Sequence, residues 1–148
     1  MHRRIRKIEK KQKKEQGLKK EAKKSRIKIR REQHSLKGYN LVLDIKEIGR
    51  KQFNVEYNLY DGEKKIAHLL LKREGSMVFV FDVFVDEKYR RKGIATELIK
   101  HVIERCKKRK IPFIVGVADS KEIKSLLAKL GFKSMVKDSE FYFMRVWF

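Results

Sequence analysis

The sequence predicts an α/β (α+β) fold class: a mixed, mostly antiparallel central sheet flanked by helices and preceded by a basic helical or disordered N-terminal arm. Three observations predict it. Short apolar runs separated by turn residues fill residues 39–85, as expected for successive strands. Amphipathic segments of helical period and further apolar runs then alternate toward the C-terminus. Residues 1–37 differ from both, because they hold 17 lysines and arginines, four acids and no aromatic residue.

The basic arm is predicted to span residues 1–38, and the folded domain residues 39–148. Apolar residues in the arm are too few and too irregular for a continuous face, so we expect a fluctuating helix, broken near Gly17, that orders on a partner. The chain carries a net charge of +21, which favours RNA, DNA or a ribonucleoprotein as that partner. A solvated tail is the alternative. Without an aromatic residue the arm offers no base stacking, which disfavours sequence-specific readout.

Four strands are predicted in the first half of the domain, at residues 39–45, 52–60, 65–73 and 77–85. Asp61 and Gly62 form a strong hairpin signal between the second and third of them. Because all the connecting loops are short, consecutive strands should pair as an antiparallel meander.

The fourth strand leads into a basic turn and then a helix. Arg90, Arg91 and Lys92 precede Gly93, and the apolar residues that follow recur at the spacing of one helical face as far as Cys106. The first backbone N–H groups of a helix have no partner within it, and the helix dipole adds positive potential there. Glycine allows close approach of a ligand, and the basic side chains add charge. The turn is therefore predicted to hold a pyrophosphate group.

The second half of the domain is predicted to add one buried strand, one helix and a closing hairpin. The strand lies at residues 111–117. Asp119 is expected to cap the helix, with Glu122 completing a capping box and Gly131 ending it. Residues 132–136 and 140–147 then form the last two strands.

The spacing Arg90-x-x-Gly93-x-Ala95, after a strand, resembles the acetyl-CoA motif (Arg/Gln-x-x-Gly-x-Gly/Ala) of the GNAT superfamily of N-acetyltransferases. The resemblance runs from about residue 39 to the C-terminus and is densest at residues 77–132. It implies acetyl-CoA as cofactor, with the strand end along the pantetheine arm, the turn on the pyrophosphate, and a serine where the family has asparagine. The cofactor-binding residues that it implies are Val83, Phe84, Val85, Arg90, Arg91, Lys92, Gly93, Ile94, Ala95, Thr96 and Ser120.

The sequence departs from that family in two places. GNAT domains usually insert two helices between the first and second strands, where they help to roof the acceptor site, but only residues 46–51 lie there in this chain. Either the acceptor site is open, as a macromolecular substrate would require, or the basic arm supplies the missing helix in space. Leu127 stands where the family usually has the tyrosine that protonates the departing thiolate. Solvent can protonate a thiolate at neutral pH, so acetyl transfer is still expected.

Asp82 and Tyr142 are the candidate catalytic residues. Asp82 is the only acid inside the central strand, where burial is expected to raise its pKa toward that of a useful general base. The alternatives for Asp82 are that it turns outward or pairs with a lysine. His68, in the third strand, is the alternative base. Tyr142, on the last strand, could donate a proton or serve only as an aromatic residue of the sheet.

The composition also bears on metal binding, on the state of the single cysteine and on membrane association. No metal is predicted, because the four histidines, the single cysteine and the acids show no metal-ligand spacing. Cys106 is predicted to be a buried core thiol in a reducing compartment. No apolar run approaches the ~18 residues that span a bilayer, and no signal peptide is recognised. The sequence therefore predicts a cytoplasmic protein without membrane association, and leaves the oligomeric state open.

The favoured function is an acetyl-CoA-dependent N-acetyltransferase whose basic arm localises it on nucleic acid or a ribonucleoprotein. The acceptor would be an amine on something large, such as a protein N-terminus, a lysine or a modified RNA. The alternative is a non-catalytic nucleic-acid-binding or ribonucleoprotein-binding protein on the same scaffold, which Leu127 and the missing helices favour. A third reading is a small-molecule acetyltransferase with an incidental tail.

Overall fold

A single eight-stranded sheet organises residues 27–148, which are the residues that the computed structural model describes. The strands lie in the order β1-β2-β3-β4-β5-β6-β8-β7. Every neighbouring pair is antiparallel except β5 and β6, which are parallel, so the predicted mixed and mostly antiparallel sheet is confirmed. The strands are β1 (Lys28–Leu36), β2 (Tyr39–Gly49), β3 (Gln52–Asp61), β4 (Lys64–Glu74), β5 (Met77–Val85), β6 (Phe113–Val117), β7 (Lys133–Ser134) and β8 (Phe141–Arg145). The helices are α1 (Ile94–Arg109) and α2 (Lys121–Lys129), with a 3-10 turn at Glu87–Tyr89.

Strand β1 corrects the expected helix in this part of the basic arm. Residues 28–36 pair along their whole length with β2, and Lys37 and Gly38 make the turn between them with φ angles of 53° and 84°. Glu32, His34 and Leu36 alternate toward the interior, a period of two that counting apolar residues alone did not detect. The helix expected over residues 1–26 lies outside the described residues. The domain boundary at residue 38 stays a prediction, and β1 lies within the residues that it assigns to the arm.

An ion pair between β1 and α1 holds the strand in place. Both guanidinium nitrogens of Arg105 donate to the two carboxylate oxygens of Glu32 at 2.8 Å. His34 also contacts Glu32, at 3.1 Å. Hydrogen bonding to Arg105 is the main reason that the pKa of Glu32 falls from its ordinary value of 4.5 to about 2. A charged residue on β1 therefore does the anchoring that an apolar residue usually does.

Replacing Glu32 with glutamine is expected to lower the free energy of unfolding by about 2 kcal/mol at pH 7, because Arg105 loses its charged acceptor. The folded-state pKa of Glu32 lies below the unfolded value, so its contribution is complete above about pH 5 and declines as pH falls toward 2. Chemical denaturation of the wild type and of Glu32→Gln at pH 7 and pH 3 measures this contribution. Most of the difference in free energy of unfolding between the two should be gone at pH 3. Glu104→Gln is the control, because Glu104 pairs with Lys107 on the exposed surface and should change stability by less than about 1 kcal/mol. Equal effects of the two substitutions at pH 7 would contradict the anchoring role.

The core lies between α1 and the sheet. Leu98, Ile99 and Val102 of α1 are almost completely buried, as the helical spacing predicted. Cys106 is buried on the same helix face, and burial raises the pKa of its thiol to about 11. The thiol is therefore protonated at neutral pH, which agrees with the predicted core role.

Helix α2 begins one residue later than expected. Its N-cap is Ser120, whose Oγ accepts a hydrogen bond from the Ile123 N–H at 3.2 Å, so the predicted cap at Asp119 is wrong. Ser120 has the extended backbone that an N-cap requires. Further along α2, Leu127 packs on β6, where a Cβ added to Gly116 would lie 2.8 Å from Leu127 Cδ1. Gly116 thus permits close contact between α2 and the sheet.

The connection between β2 and β3 is a two-residue turn. Strand β2 ends at Gly49 and β3 begins at Gln52, so the described chain has no helix at the position where two were noted as missing. The expectation that the arm supplies a substitute helix concerns residues 1–26, which lie outside the described residues.

Candidate functional site

A cleft of about 650 Å³ opens where β5 ends and α1 begins. Its walls come from three places: the end of β5, the turn into α1, and the first turns of α2. All the residues predicted to bind the cofactor line this cleft except Lys92. Lys92 instead places its Nζ 5.3 Å from the centre of the Tyr89 ring. The lining residues are Val83, Phe84, Val85, Tyr89, Arg90, Arg91, Gly93, Ile94, Ala95, Thr96, Ser120, Glu122, Ile123 and Leu126.

The two parallel strands separate at the cleft. The pairing of β5 with β6 ends at Val80 and Gly116, whereas β5 itself continues to Val85. Within the described part of the chain, none of the last five residues of β5 pairs with β6, and Phe81, Phe84 and Val85 among them pair with β4. Backbone groups on the other edge of β5 are therefore available to an extended ligand, which can add to that edge as a strand would.

A bulge in β5 sets the position of Asp82. Phe81 pairs with Leu70 and Phe84 pairs with His68, so two residues of β5 lie opposite Leu69 alone. Asp82 has φ +54°, and its side chain is 58% exposed. The predicted burial of Asp82 is therefore wrong, because the bulge turns this residue out of the strand.

The bulge brings the two predicted bases together. Asp82 Oδ2 lies 3.3 Å from His68 Nε2. The His68 ring stacks on Phe84, with ring centres 5.4 Å apart, and Phe84 is 47% exposed and lines the cleft. The Arg90 guanidinium carbon lies 5.9 Å from the centre of the Phe84 ring. The His68–Asp82 pair thus lies one aromatic ring away from the cleft.

The turn into α1 has the backbone that an anion site requires. Gly93 is the N-cap with φ +77°, and Arg91 also has a positive φ, +63°. The N–H groups of Ile94, Ala95 and Thr96 lie in the first turn of α1, where the helix supplies no acceptor. Arg90 is held beside the end of β5, because its Nε donates to the Val85 carbonyl at 3.0 Å. Free N–H groups, the helix dipole and fixed cations therefore meet at one end of the cleft.

Lys37 is a cation at this turn that sequence reasoning missed. Its Nζ lies 3.6 Å from the point that a Cβ on Gly93 would occupy. Lys37 comes from the β1–β2 turn, far away in the chain, and no local pattern links it to Gly93. Glu122, Ile123 and Leu126 were also missed, although their positions in the first turns of α2 could have been inferred from Ser120.

Neither position considered for a proton-donating tyrosine places a hydroxyl among the cleft-lining residues. Tyr142 pairs with Gly116 and Ser134 and packs against the core. Leu127 is 1% exposed. The tyrosine that does line the cleft is Tyr89, whose hydroxyl donates to Asp61 at 2.7 Å, and this hydrogen bond raises the pKa of Tyr89.

Residues 27–148 contain no group of three or more histidines, cysteines and acids that could hold a metal ion. No helix in this part of the chain is both long enough and apolar enough to cross a bilayer.

Comparison with known proteins gives a family match and a set of similar structures. The sequence model of the acetyltransferase (GNAT) family matches residues 16–132. The match begins before residue 39, where the resemblance was expected to start. No curated protein sequence matches this chain significantly.

Three solved structures illustrate the similarity of fold. The ribosomal-protein-S18-alanine N-acetyltransferase of Escherichia coli has a TM-score of 0.56 at 18% identity, over 68% of this chain and 72% of that chain. A GNAT-family acetyltransferase of Staphylococcus aureus has a TM-score of 0.56 at 20% identity, over 64% and 68%. The PaiA N-acetyltransferase of Thermoplasma acidophilum, in complex with coenzyme A, has a TM-score of 0.55 at 18% identity, over 62% and 60%. At these identities the similarity concerns the fold.

Proposed function

This chain belongs to the acetyltransferase (GNAT) family, and on that premise we propose that it transfers the acetyl group of acetyl-CoA to an amine of a macromolecular, nucleic-acid-associated substrate. Acetyl-CoA is the cosubstrate of the family. One observation carries the proposal for this chain: a single cleft combines an unpaired strand edge with a helix N-terminus that is flanked by arginines. An extended pantetheine arm fits the first feature, and a pyrophosphate fits the second.

The cofactor is proposed to lie along the cleft. The backbone of Val83 to Val85 pairs with the pantetheine amides, and the N–H groups of residues 94–96 bind the pyrophosphate. Arg90, Arg91 and Lys37 add positive charge around it. Ser120 caps α2 through its oxygen, so its hydroxyl hydrogen remains able to donate to the ligand.

The His68–Asp82 pair is proposed to accept the proton of the acceptor amine. With its hydrogen on Nε2, the atom that lies 3.3 Å from Asp82 Oδ2, His68 carries on Nδ1 the free lone pair that a base needs. The neutral amine attacks the acetyl carbon, the amine proton passes to the pair, and the C–S bond breaks to release the CoA thiolate. With no tyrosine proposed as the acid, solvent protonates that thiolate.

A large acceptor suits the open approach to this pair. Asp82 and Phe84 are exposed, and among residues 27–148 no helix is inserted between β2 and β3 to cover them. The chain also carries a net charge of +21, which favours a polyanionic environment. We therefore propose that residues 1–38 bind RNA, DNA or a ribonucleoprotein, and that the enzyme acts on a nearby amine in the cytoplasm.

Leu127 and Tyr142 favour one alternative, in which the scaffold binds nucleic acid and the cofactor without catalysis. The observation in favour of this alternative is that neither position places a tyrosine hydroxyl in the cleft lining. Turnover distinguishes it from the enzyme.

The test is a calorimetric titration of acetyl-CoA into the full chain at ~0.2 M salt, which screens loose attraction between charges. An assay of CoA release follows, with peptides that offer an N-terminal amine, peptides that offer a lysine, and a small polyamine as acceptors. We expect one acetyl-CoA per chain and release of CoA that depends on a peptide. Binding without turnover on any acceptor would favour the non-catalytic alternative, and no binding would overturn both. Turnover of the polyamine that is unaffected by removing residues 1–26, a cut that spares β1, would indicate a small-molecule enzyme.

A further inference from the structure

One end of the sheet, opposite the cofactor cleft, is formed by four segments of the chain. Strands β2, β4 and β8 end there, β3, β5 and β6 begin there, and α1 ends four residues before β6 begins. Three backbone hydrogen bonds of 2.8 to 3.3 Å join neighbouring segments, from Gly75 to Lys51, from Phe113 to Ser76 and from Val146 to Pro112. Residues 46–51, 72–76, 107–112 and 145–148 therefore form one continuous surface, which we call the basic end.

Positive charge dominates the basic end. Its four segments hold ten lysines and arginines and two acids, Glu47 and Glu74. Lys72 pairs with Glu74 at 3.1 Å. Five of the cations are exposed and have no carboxylate within 4 Å in residues 27–148: Arg50, Lys51, Lys108, Arg109 and Lys110. Such an excess of exposed cations favours a polyanion as partner.

The basic arm joins the fold at this same end of the sheet. Strand β1 begins at Lys28, which pairs with Glu47, two residues before the end of β2. Residues 1–26 precede that point and hold 13 lysines and arginines and three acids. A polyanion bound where the arm meets β1 would therefore also face the basic end.

The basic end also carries an exposed aromatic ring. Trp147 follows β8 and is 75% exposed. The guanidinium carbon of Arg145 lies over this ring, 4.7 Å from its centre, and 5.1 Å from the centre of the Phe113 ring. Phe113 in turn stacks on Phe143, with ring centres 5.7 Å apart. Arg145 thus supports the indole on one side, and most of the indole surface remains open to solvent.

We propose that the basic end binds single-stranded nucleic acid, with its cations on backbone phosphates and Trp147 stacked on a base. Charge alone would suit any polyanion, but an open aromatic ring suits one that carries flat bases. A single strand fits better than a duplex, because the bases of a duplex are already stacked on one another. From β3 to β8 the surface crosses four strand spacings, ~19 Å, which suits a site of a few nucleotides.

This contact lies on the folded domain, adds to the binding proposed for the arm, and does not depend on acetyl transfer. It also supplies what the arm lacks, because residues 1–37 contain no aromatic residue for base stacking.

Fluorescence tests the stacking directly, because Trp147 is the only tryptophan in the chain. The full chain is titrated with a single-stranded oligonucleotide of ~10 nucleotides, made once as RNA and once as DNA, and with inorganic polyphosphate. We expect saturable quenching by the oligonucleotides, and the tighter of the two identifies the sugar. Polyphosphate should bind the cations but should not quench, since it has no base. Equal quenching by polyphosphate, or none by either oligonucleotide, would overturn the proposal.

Trp147→Leu is the first variant, measured by fluorescence anisotropy of a labelled oligonucleotide. It should weaken binding about tenfold, whereas Trp147→Phe keeps a ring and should retain most of the affinity. Phe141→Leu is the matched control, because Phe141 is an aromatic residue with 48% exposure at the other end of β8. Wild-type affinity in Trp147→Leu, or an equal loss in Phe141→Leu, would overturn the role of Trp147.

Two double variants test the charges, and each lowers the net charge by two. Arg50→Gln with Lys108→Gln changes the basic end, and Lys65→Gln with Lys137→Gln changes two exposed lysines at the cleft end of the sheet. The first pair should make the dependence of the logarithm of affinity on that of salt concentration shallower by ~1.4, because each phosphate contact on a single strand contributes ~0.7. The second pair should leave affinity within about twofold of the wild type.

Equal losses in the two double variants would mean that only net charge matters, and would overturn the site. Acetyl-CoA titration of Trp147→Leu and of both double variants should match the wild type, so a failure of the proposed function is seen separately.

Discussion

Replacing Gly93 with glutamate is expected to weaken acetyl-CoA binding by about 100-fold or more. Gly93 has φ +77°, which residues other than glycine rarely adopt, and the residues directly after it, 94–96, line the cleft in the first turn of α1. A carboxylate at this point would also lie where the pyrophosphate is proposed to bind, and would compete for Lys37. Calorimetry with the full chain at ~0.2 M salt measures the change.

Gly75→Glu is the matched control. Gly75 also has a positive φ, +61°, and it precedes β5, along which eight residues of chain separate it from Val83, where the cleft lining begins, by ~26 Å. Backbone strain and added charge are therefore similar, while the distance from the cofactor differs. Equal losses of acetyl-CoA affinity in the two variants would mean that the effect comes from global destabilisation. Full affinity in Gly93→Glu would remove the turn from the cofactor site.

Replacing His68 with glutamine is expected to lower kcat by about 10²-fold with little change in acetyl-CoA affinity. Proton transfer by a positioned base contributes ~10²–10⁴-fold, and glutamine keeps a polar group of similar size that cannot accept a proton at neutral pH. Asp82→Asn should lower kcat less than His68→Gln, because it leaves the imidazole in place but removes the carboxylate that orients it. The double variant should be no slower than His68→Gln if the two residues act as one unit.

The control for this series is His34→Gln. His34 also contacts a carboxylate, Glu32, at 3.1 Å, but it lies on β1 and its ring packs against His101, which does not line the cleft, whereas His68 stacks on the cleft-lining Phe84. Its replacement should leave kcat within about twofold of the wild type. A wild-type kcat in His68→Gln would assign the base elsewhere, and a large rise in the Kd for acetyl-CoA would mean that stacking on Phe84 supports the cofactor instead.

The order of strand, basic turn and helix around Gly93 could be read from sequence because it is encoded locally. The strand run, the glycine and the helical spacing are contiguous, and each follows from the preferences of neighbouring residues. The four-strand meander was equally accessible, since Asp61 and Gly62 specify a tight hairpin and the loops leave no other partner. Of the residues that the resemblance implied for cofactor binding, all but Lys92 line the cleft; the lining also includes four residues that were not among them: Tyr89, Glu122, Ile123 and Leu126.

Errors arose where a residue's environment comes from elsewhere in the chain. Strand β1 was predicted as part of a fluctuating helical arm because only one of its inward residues is apolar, and only Arg105, 73 residues away, makes Glu32 a suitable interior residue. Asp82 looked buried because it interrupts an apolar run. The register of β4 against β5 creates the bulge that exposes it, and strand periodicity alone does not encode that register.

The sequence by itself determined the family of this protein, the order of its elements from β2 onward and the turn that is proposed to bind acetyl-CoA, because these depend on short-range patterns. The tertiary structure alone decided two things: that Lys37 reaches Gly93, and that His68 meets Asp82 beside the cleft. Each of these joins side chains from different elements across the sheet or against α1. Such contacts depend on strand register and helix packing, which many residues set together and no local motif records.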